Sequence, residues 1–200
     1  MTHVVFDVGQ VLIRWEPWLV YREDFASRAE IEGFLDEIGF GPWNVEQDRG
    51  RSWDEAVKIK VAEFPQHAAL IRKFHSSWHD AVPGPIDDTV EALRALQAAG
   101  KPFYGITNFS AEKWGECQER FDFLTLFEDV IVSAHERLVK PDPAIFQLFL
   151  SRNGLRAADC LFIDDSPANV TSAASLGFDT ILFDDPACVI GRLRTRGLPI

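Results

Sequence analysis

Four short polar segments each close an apolar run, and together they hold the residue types needed for nucleophilic chemistry. The first lies in Val4-Val5-Phe6-Asp7-Val8-Gly9-Gln10-Val11-Leu12. Its Val and Phe run reads as a buried strand. An acid at the carboxyl end of such a strand packs badly, but open α/β sheets place their ligand crevice there. Alone, Asp7 is equally a turn residue. The other segments are Ile106-Thr107-Asn108, Lys140-Pro141-Asp142 and Asp164-Asp165. Separately they read as a turn, a solvated loop and a helix start, since carboxylates favour the positive end of a helix dipole. In this order, at strand ends, they define one pocket. It would hold a nucleophilic carboxylate at Asp7, a hydroxyl donor at Thr107, a cation at Lys140 and an acidic metal site.

The elements that must position these groups alternate strand and helix. A helix over 87–99 carries Val90, Leu93 and Leu96 at helical spacing and stops at Gly100. A strand over 102–107 follows, then a helix from the N-cap Ser110 to about residue 120. A second strand spans 129–133. Asp142-Pro143 opens a helix carrying Ile145, Phe146, Leu148 and Phe149. A strand over 161–163 leads into the acidic pair. Ser166-Pro167 opens another helix, closed by Gly177, and a strand over 180–183 follows. These βα units predict an α/β fold: a Rossmann-like, mainly parallel sheet flanked by helices. Residues 14–83 carry helical signals and no strand. Ser27 with Glu30, and Ser52 with Glu55, are candidate capping boxes. Ile31, Phe34, Leu35 and Ile38 form an apolar stripe, whereas Val57, Ile59 and Val61 fit a helix less cleanly. Four of the six tryptophans (Trp18, Trp43, Trp53 and Trp78) fall in this insert, with Trp15 at its entrance. An all-helical insert directly after the first strand suggests a cap over the crevice, with 1–13 and 84–200 as the core domain and 14–83 as the cap.

The four segments resemble the motifs of the haloacid dehalogenase-like hydrolase superfamily. They appear in order as Phe6-Asp7-Val8-Gly9-Gln10-Val11-Leu12, Gly105-Ile106-Thr107-Asn108, Lys140-Pro141 and Phe162-Ile163-Asp164-Asp165-Ser166-Pro167-Ala168-Asn169. The insert lies where such proteins carry a helical cap of the first type. The resemblance implies an Mg²⁺-dependent phosphatase acting on a small phosphorylated metabolite through an aspartyl-phosphate on Asp7. It implies metal ligation by Asp7, the Gly9 carbonyl and Asp164 or Asp165. Thr107 and the backbone N–H of Asn108 would hold phosphoryl oxygens, Lys140 would neutralise charge, and Asn169 would orient the acidic pair. Phosphoryl transfer needs mainly such positioning and neutralisation.

The pattern departs from the common phosphatase form at Gly9, where a second Asp would protonate the leaving group and then activate water. A missing general acid–base typically costs about two to four orders of magnitude. Three explanations compete. A cap residue supplies the proton, with His75, His79, Glu46 and Asp48 as candidates; or the substrate has a good leaving group; or the chain is not a phosphatase. The Asp-x-Gly-x-Val form, with Asp48-Arg49-Gly50 and Ser52-Trp53-Asp54-Glu55, is similar to a branch that includes bacterial glucose-1-phosphate phosphatases, which implies a sugar phosphate. Two-haloacid dehalogenases also lack the second Asp. In these, the carboxylate attacks carbon and expels halide without a metal. A non-catalytic relative that binds a phosphorylated ligand is the third reading. His75 and His79 lie at i,i+4 spacing, but without a third ligand nearby they read as solvated or capping residues. Arg14, Trp15 and Trp18 either line the pocket entrance or anchor cap to core, and Asp184-Asp185-Pro186 reads as a helix start.

Bulk properties narrow the partners. Two hundred residues with 46% apolar and 26% charged composition suit one globular domain with a modest insertion. A net charge of −11 argues against nucleic acid and anionic membrane as partners, leaving Arg192, Arg194 and Arg196 to favour the end of a helix. Cys117, Cys160 and Cys188 are sparse and unpaired in spacing, as in reduced thiols of a cytoplasmic protein. No signal peptide or membrane span is expected. A monomer or homodimer is expected.

Overall fold

The computed structural model describes residues 2–200, the side chains of residues 187 and 188 excepted. Five strands form one parallel sheet: β1 (His3–Phe6), β2 (Phe103–Thr107), β3 (Val130–Val132), β4 (Cys160–Asp164) and β5 (Asp179–Leu182). Their order is β3-β2-β1-β4-β5. The chain builds outward from β1 to β2 and β3, then returns to add β4 on the other side of β1. That reversal puts the carboxyl ends of β1 and β4 side by side, at the switch point where such sheets bind ligands.

β1 reads as an unbroken apolar run because both its faces are covered. Val4 and Phe6 pack into one cluster with Leu93 and Phe103, while Val5 packs into another with Ile106, Phe146 and Phe162. The covering helices are α5 (Asp87–Ala98), α6 (Ala111–Arg120), α7 (Ser133–Glu136), α8 (Pro143–Asn153), α9 (Pro167–Ser175) and α10 (Pro186–Thr195). The N-terminus of α8 forms as expected: the Asp142 carboxylate accepts from Ala144 N–H at 2.9 Å, with Pro143 in the first turn. The strand expected over 129–133 is shorter, because Ser133 already begins α7. Ser110 and Ser166 hold N-cap positions, yet neither hydroxyl makes a capping bond. The Ser110 Oγ is taken by another partner described below.

The insert holds α1 (Arg28–Glu37), α2 (Phe40–Asp48), α3 (Trp53–Glu63) and α4 (Ala68–Ser76), with short 3₁₀ turns and no strand among its described residues. Ser27 and Ser52 accept from Glu30 and Glu55 N–H respectively, each at 3.3 Å. α3 is a regular helix, but its buried face is Trp53, Ala56 and Lys60, which leaves Ile59 exposed. That explains why the Val57, Ile59 and Val61 pattern fits a helix poorly. The two chain segments that join the insert to the sheet pair with each other. Arg14 N–H donates to Gly84 O at 3.0 Å, and Ile86 N–H to Leu12 O at 2.8 Å. An aromatic cluster fills the insert and runs down to the sheet. Phe74 contacts Trp53, Trp43 and Trp15; Trp15 packs on Trp78, and Trp78 on Phe109. Trp53 and Trp78 are buried. At about 200 Å² each, their burial contributes roughly 5 kcal/mol apiece before entropy is counted.

Cys117 and Cys160 are buried and unbridged, and burial pushes their thiols up to about 12 and about 11. The Cys188 side chain lies outside the described residues. No helix among the described residues is long and apolar enough to cross a membrane.

Candidate active site

Asp7 follows β1 and continues the ladder, its N–H donating to Ile163 O at 2.8 Å. With Phe6 opposite Ile163, the register sets Asp7 beside Asp164. Thr107 ends β2, on the other side of β1. Lys140, from the loop before α8, completes the group. Its Nζ lies 2.7 Å from Asp7 Oδ1 and 2.6 Å from Asp164 Oδ2. All four side chains are buried. Sequence spacing predicted this gathering, and the structure brings Asp7, Thr107, Asn108, Lys140, Asp164 and Asp165 to one end of the sheet.

The two adjacent acids differ in their bonding. Asp164 is fully committed. Its Oδ1 accepts from Ser166 N–H at 2.8 Å and Asn169 Nδ2 at 2.9 Å, and its Oδ2 accepts from Lys140. Asn169 thus fixes Asp164, as expected of an orienting residue. Asp165 instead lines an open cavity with Asp7 and Gly9. Carboxylate oxygens of Asp7, Asp164 and Asp165 lie within 4.8 Å of one another. Three acids against one lysine leave a surplus of negative charge that suits a divalent cation held by oxygens. Burial pushes Asp7 up, with Asp164 and Asp165 adding to the rise and Lys140 opposing it. Burial and Asp164 also raise Asp165. Lys140 is raised by its two carboxylates against its own burial, and so stays charged.

Asn108 has a role that its sequence position did not disclose. Its carboxamide clamps the backbone of Lys140: Nδ2 donates to Lys140 O at 3.0 Å, and Oδ1 accepts from Lys140 N–H at 2.8 Å. Ser133 Oγ holds the next residue, accepting from Phe109 N–H at 2.9 Å. These bonds tie the loops after β2 and β3 together and aim Lys140 at the acids. Thr107 Oγ1 is buried with no hydrogen-bond partner. A buried hydroxyl left without a partner is uncommon in a folded protein. Trp78 Nε1 is buried and unpartnered too, and Trp78 lines the cavity that Asp7 and Asp165 share.

That cavity, about 230 Å³, is walled by the sheet end on one side and by insert residues Asn44, Asp48, Trp53 and Trp78 on the other. The insert is pinned there. Trp53 Nε1 donates to Ser110 Oγ at 3.0 Å, and Trp53 N–H to Glu112 Oε1 at 3.1 Å. Gly50 has a φ of +99°, and a Cβ on it would lie 2.9 Å from the backbone oxygen of Ala134. Only glycine permits this approach. Gln10, in the loop after Asp7, also takes a left-handed conformation at φ 58°. Its carboxamide bridges both backbone groups of Trp15, at 3.0 and 3.2 Å.

The four candidate proton donors separate cleanly. Glu46 pairs with Arg49 at 3.0 Å, His79 with Glu116 at 2.7 Å, and His75 stacks on Trp53. None of these three lines the cavity; of the four, Asp48 alone lines it, together with Asp7. Of the entrance residues, Trp15 lines the cavity. Arg14 bonds Pro85 O at 2.6 Å, and Trp18 bonds Glu16 at 3.0 Å.

A parallel sheet with order β3-β2-β1-β4-β5 carries a buried carboxylate, a buried lysine and an acidic pair at its switch point, the setting of an α/β ligand crevice. The sequence profile of haloacid dehalogenase-like hydrolases matches residues 2–177, and the chain belongs to that family. Among relatives, mouse acyl-CoA dehydrogenase family member 10 is 28% identical in an alignment that covers 98% of this chain. This chain spans only 19% of that protein's length. Sesquiterpene phosphatase astK of Aspergillus oryzae is 29% identical over 95% of this chain and 93% of its own. An (S)-2-haloacid dehalogenase of Pseudomonas fluorescens is 29% identical over 54% of this chain and 44% of its own. A haloacid dehalogenase family enzyme from Bacteroides thetaiotaomicron, solved as a variant with magnesium and inorganic phosphate, shares the fold. Its TM-score is 0.75 at 20% identity, covering 94% of this chain and 98% of that one.

Proposed function

We propose that this chain is an Mg²⁺-dependent phosphatase that hydrolyses a small phosphorylated metabolite through an aspartyl-phosphate on Asp7. The observation that carries the reading is the surplus of acid: Asp7, Asp164 and Asp165 converge around one lysine. Attack on an uncharged carbon gains nothing from that surplus, whereas a phosphate monoester needs a cation between itself and the nucleophile. A magnesium-and-phosphate complex of a protein with the same fold, and a phosphatase among the relatives, support it. Asp7, the Gly9 carbonyl and Asp165 would hold Mg²⁺, with Asp164 behind them as the partner of Lys140. Bound there, the ion would supply charge neutralisation at the phosphoryl oxygens. Asp7 attacks phosphorus and displaces the leaving oxygen. Thr107 Oγ1 and the Asn108 N–H hold phosphoryl oxygens, and Lys140 keeps Asp7 ionised. Residues 14–83 act as a cap, and the paired segments near residues 13 and 84 are its neck. Sugar phosphates belong to the candidate substrates, since Trp walls with Asn44 and Asp48 offer both faces and hydrogen bonds.

Gly9 favours one other reading, 2-haloacid dehalogenation, because that reaction needs no acid at this position. A panel of phosphate monoesters with Mg²⁺ or chelator, beside halide release from 2-chloropropionate, separates the two. Mg²⁺-dependent phosphate release without halide release is expected. Halide release that ignores chelator overturns the proposal.

A further inference from the structure

The vacancy for a general acid at Gly9 is matched by an acid whose position folding alone does not explain. Asp48 is buried at the last turn of α2, where the negative end of the helix dipole disfavours a carboxylate. It makes no ion pair among the described residues, and its hydrogen bond from Asn44 Nδ2 is long, at 3.4 Å. Burial, dipole and poor pairing all oppose an ionised group there, so the placement costs stability. Such a cost at a cavity wall points to function. Gly50, two residues on, brings this helix end against Ala134 of the core through a contact that no other residue permits. Asp7 and Asp165 line the same cavity as Asp48.

We infer that Asp48 is the general acid–base of this enzyme, acting from the insert in place of the residue missing at position 9. The inference rests on the phosphatase reading above. As Asp7 Oδ forms its bond to phosphorus, the bond from phosphorus to the leaving oxygen breaks, and that oxygen takes the Asp48 proton. Product alcohol leaves. A water then enters, gives a proton to the Asp48 carboxylate and attacks phosphorus. The Asp7–phosphorus bond breaks, inorganic phosphate departs, and Asp48 is again protonated. Burial pushes the Asp48 carboxyl up to about 7, against the pull of the Lys140 charge, so both forms are populated near neutrality. Position 9 itself is open. A Cβ there meets nothing within 4 Å, and the backbone is not left-handed. The absence of an acid is therefore not forced by space, and the arrangement can be rebuilt.

The test compares wild type, Asp48→Asn and the double variant Gly9→Asp/Asp48→Asn on an alkyl phosphate and on p-nitrophenyl phosphate, all with Mg²⁺. Asn at 48 retains an acceptor for Asn44, and circular dichroism checks the fold. Loss of the acid should slow the alkyl ester by about 10²–10⁴-fold. The nitrophenyl ester needs no protonation to leave, so Asp48→Asn should show a burst of nitrophenolate stoichiometric with enzyme, then slow turnover for want of a base. The double variant should regain at least about tenfold of the lost alkyl rate. Equal losses on both esters without a burst, in a folded variant and an active wild type, overturn the assignment while leaving the phosphatase reading intact. A wild type inert on both esters overturns that reading, and this proposal with it.

Discussion

Lys140→Met is the perturbation whose cost can be worked most fully from the geometry. The ammonium sits 2.7 and 2.6 Å from two carboxylates, with all three groups nearly free of solvent. Methionine fills much the same volume and removes the charge together with its hydrogen bonds to the two carboxylates. Asp7 and Asp164 then face each other with oxygens within 4.8 Å. At an effective dielectric of ~20, two unit charges at that separation repel by about 3.5 kcal/mol. The desolvation cost of both ions remains, and removal of one partner from a buried ion pair costs about 3–5 kcal/mol. The variant can relieve the repulsion by binding a proton. Asp7, already pushed up by burial, loses the one group that pulls it down. Its folded pKa then lies further above the unfolded value, so the native variant holds a proton that the unfolded chain lacks. Stability linked to such a raised group is present at low pH and lost as pH rises. The deficit relative to wild type should therefore shrink on acidification, by about 1.4 kcal/mol per pH unit in the window between the wild-type and variant titrations of Asp7. Urea unfolding followed by tryptophan fluorescence, in chelator at pH 8 and pH 6, measures it. A deficit near 3–5 kcal/mol at the higher pH, and a smaller one at the lower, is expected. A deficit under about 1 kcal/mol at the higher pH, the typical worth of an exposed pair, or one that grows on acidification, would refute the reasoning.

Other outcomes follow from the same contacts. Asp165→Asn should raise the Mg²⁺ concentration for half-maximal activity at least about tenfold, with little loss of stability in chelator. Asp164→Asn should instead destabilise the chelator-treated protein by about 2–3 kcal/mol, because Lys140 loses half its compensation. Both are read by activity titration beside urea melts, and the reverse pattern would exchange the two roles. Asn108→Ala removes both bonds to the Lys140 backbone and should cost about 1–3 kcal/mol together with most of kcat; an unchanged kcat would show that the clamp does not aim Lys140. Gly50→Ala forces a side chain into a left-handed conformation against Ala134 O, and should cost about 1–3 kcal/mol. Thermal melts of that variant unchanged from wild type would show that the insert does not need the close approach.

The strands and the site were legible in the sequence because one arrangement of residues serves both. An apolar run ending in Asp7 marks a buried strand and a ligand crevice at once, and the order of Thr107, Lys140 and Asp164-Asp165 along successive βα units sets their convergence. The side of β1 on which β4 adds depends on tertiary packing, and the local pattern does not encode it. Asn108 as a clamp was not legible, because Thr-Asn looks like any turn until the loop before α8 folds back onto it. Ser110 read as a helix cap by type and position, but a tryptophan 57 residues earlier claims its hydroxyl. The roles of His75, His79, Glu46 and Asp48 were equally open in the sequence. Burial at the cavity wall separates Asp48 from the others, and burial there depends on Gly50 and the aromatic cluster that seats the insert.

The central claim is that Asp7 carries the phosphoryl group. Borohydride added to acid-quenched, turning-over enzyme reduces an acyl phosphate to an alcohol, and mass spectrometry of the peptide bearing residue 7 reads the result. The account predicts Asp7 converted to homoserine when a hydrolysed monoester and Mg²⁺ are present, and no conversion in chelator. Sustained phosphate release with residue 7 unmodified, or undiminished release by Asp7→Asn, would contradict it.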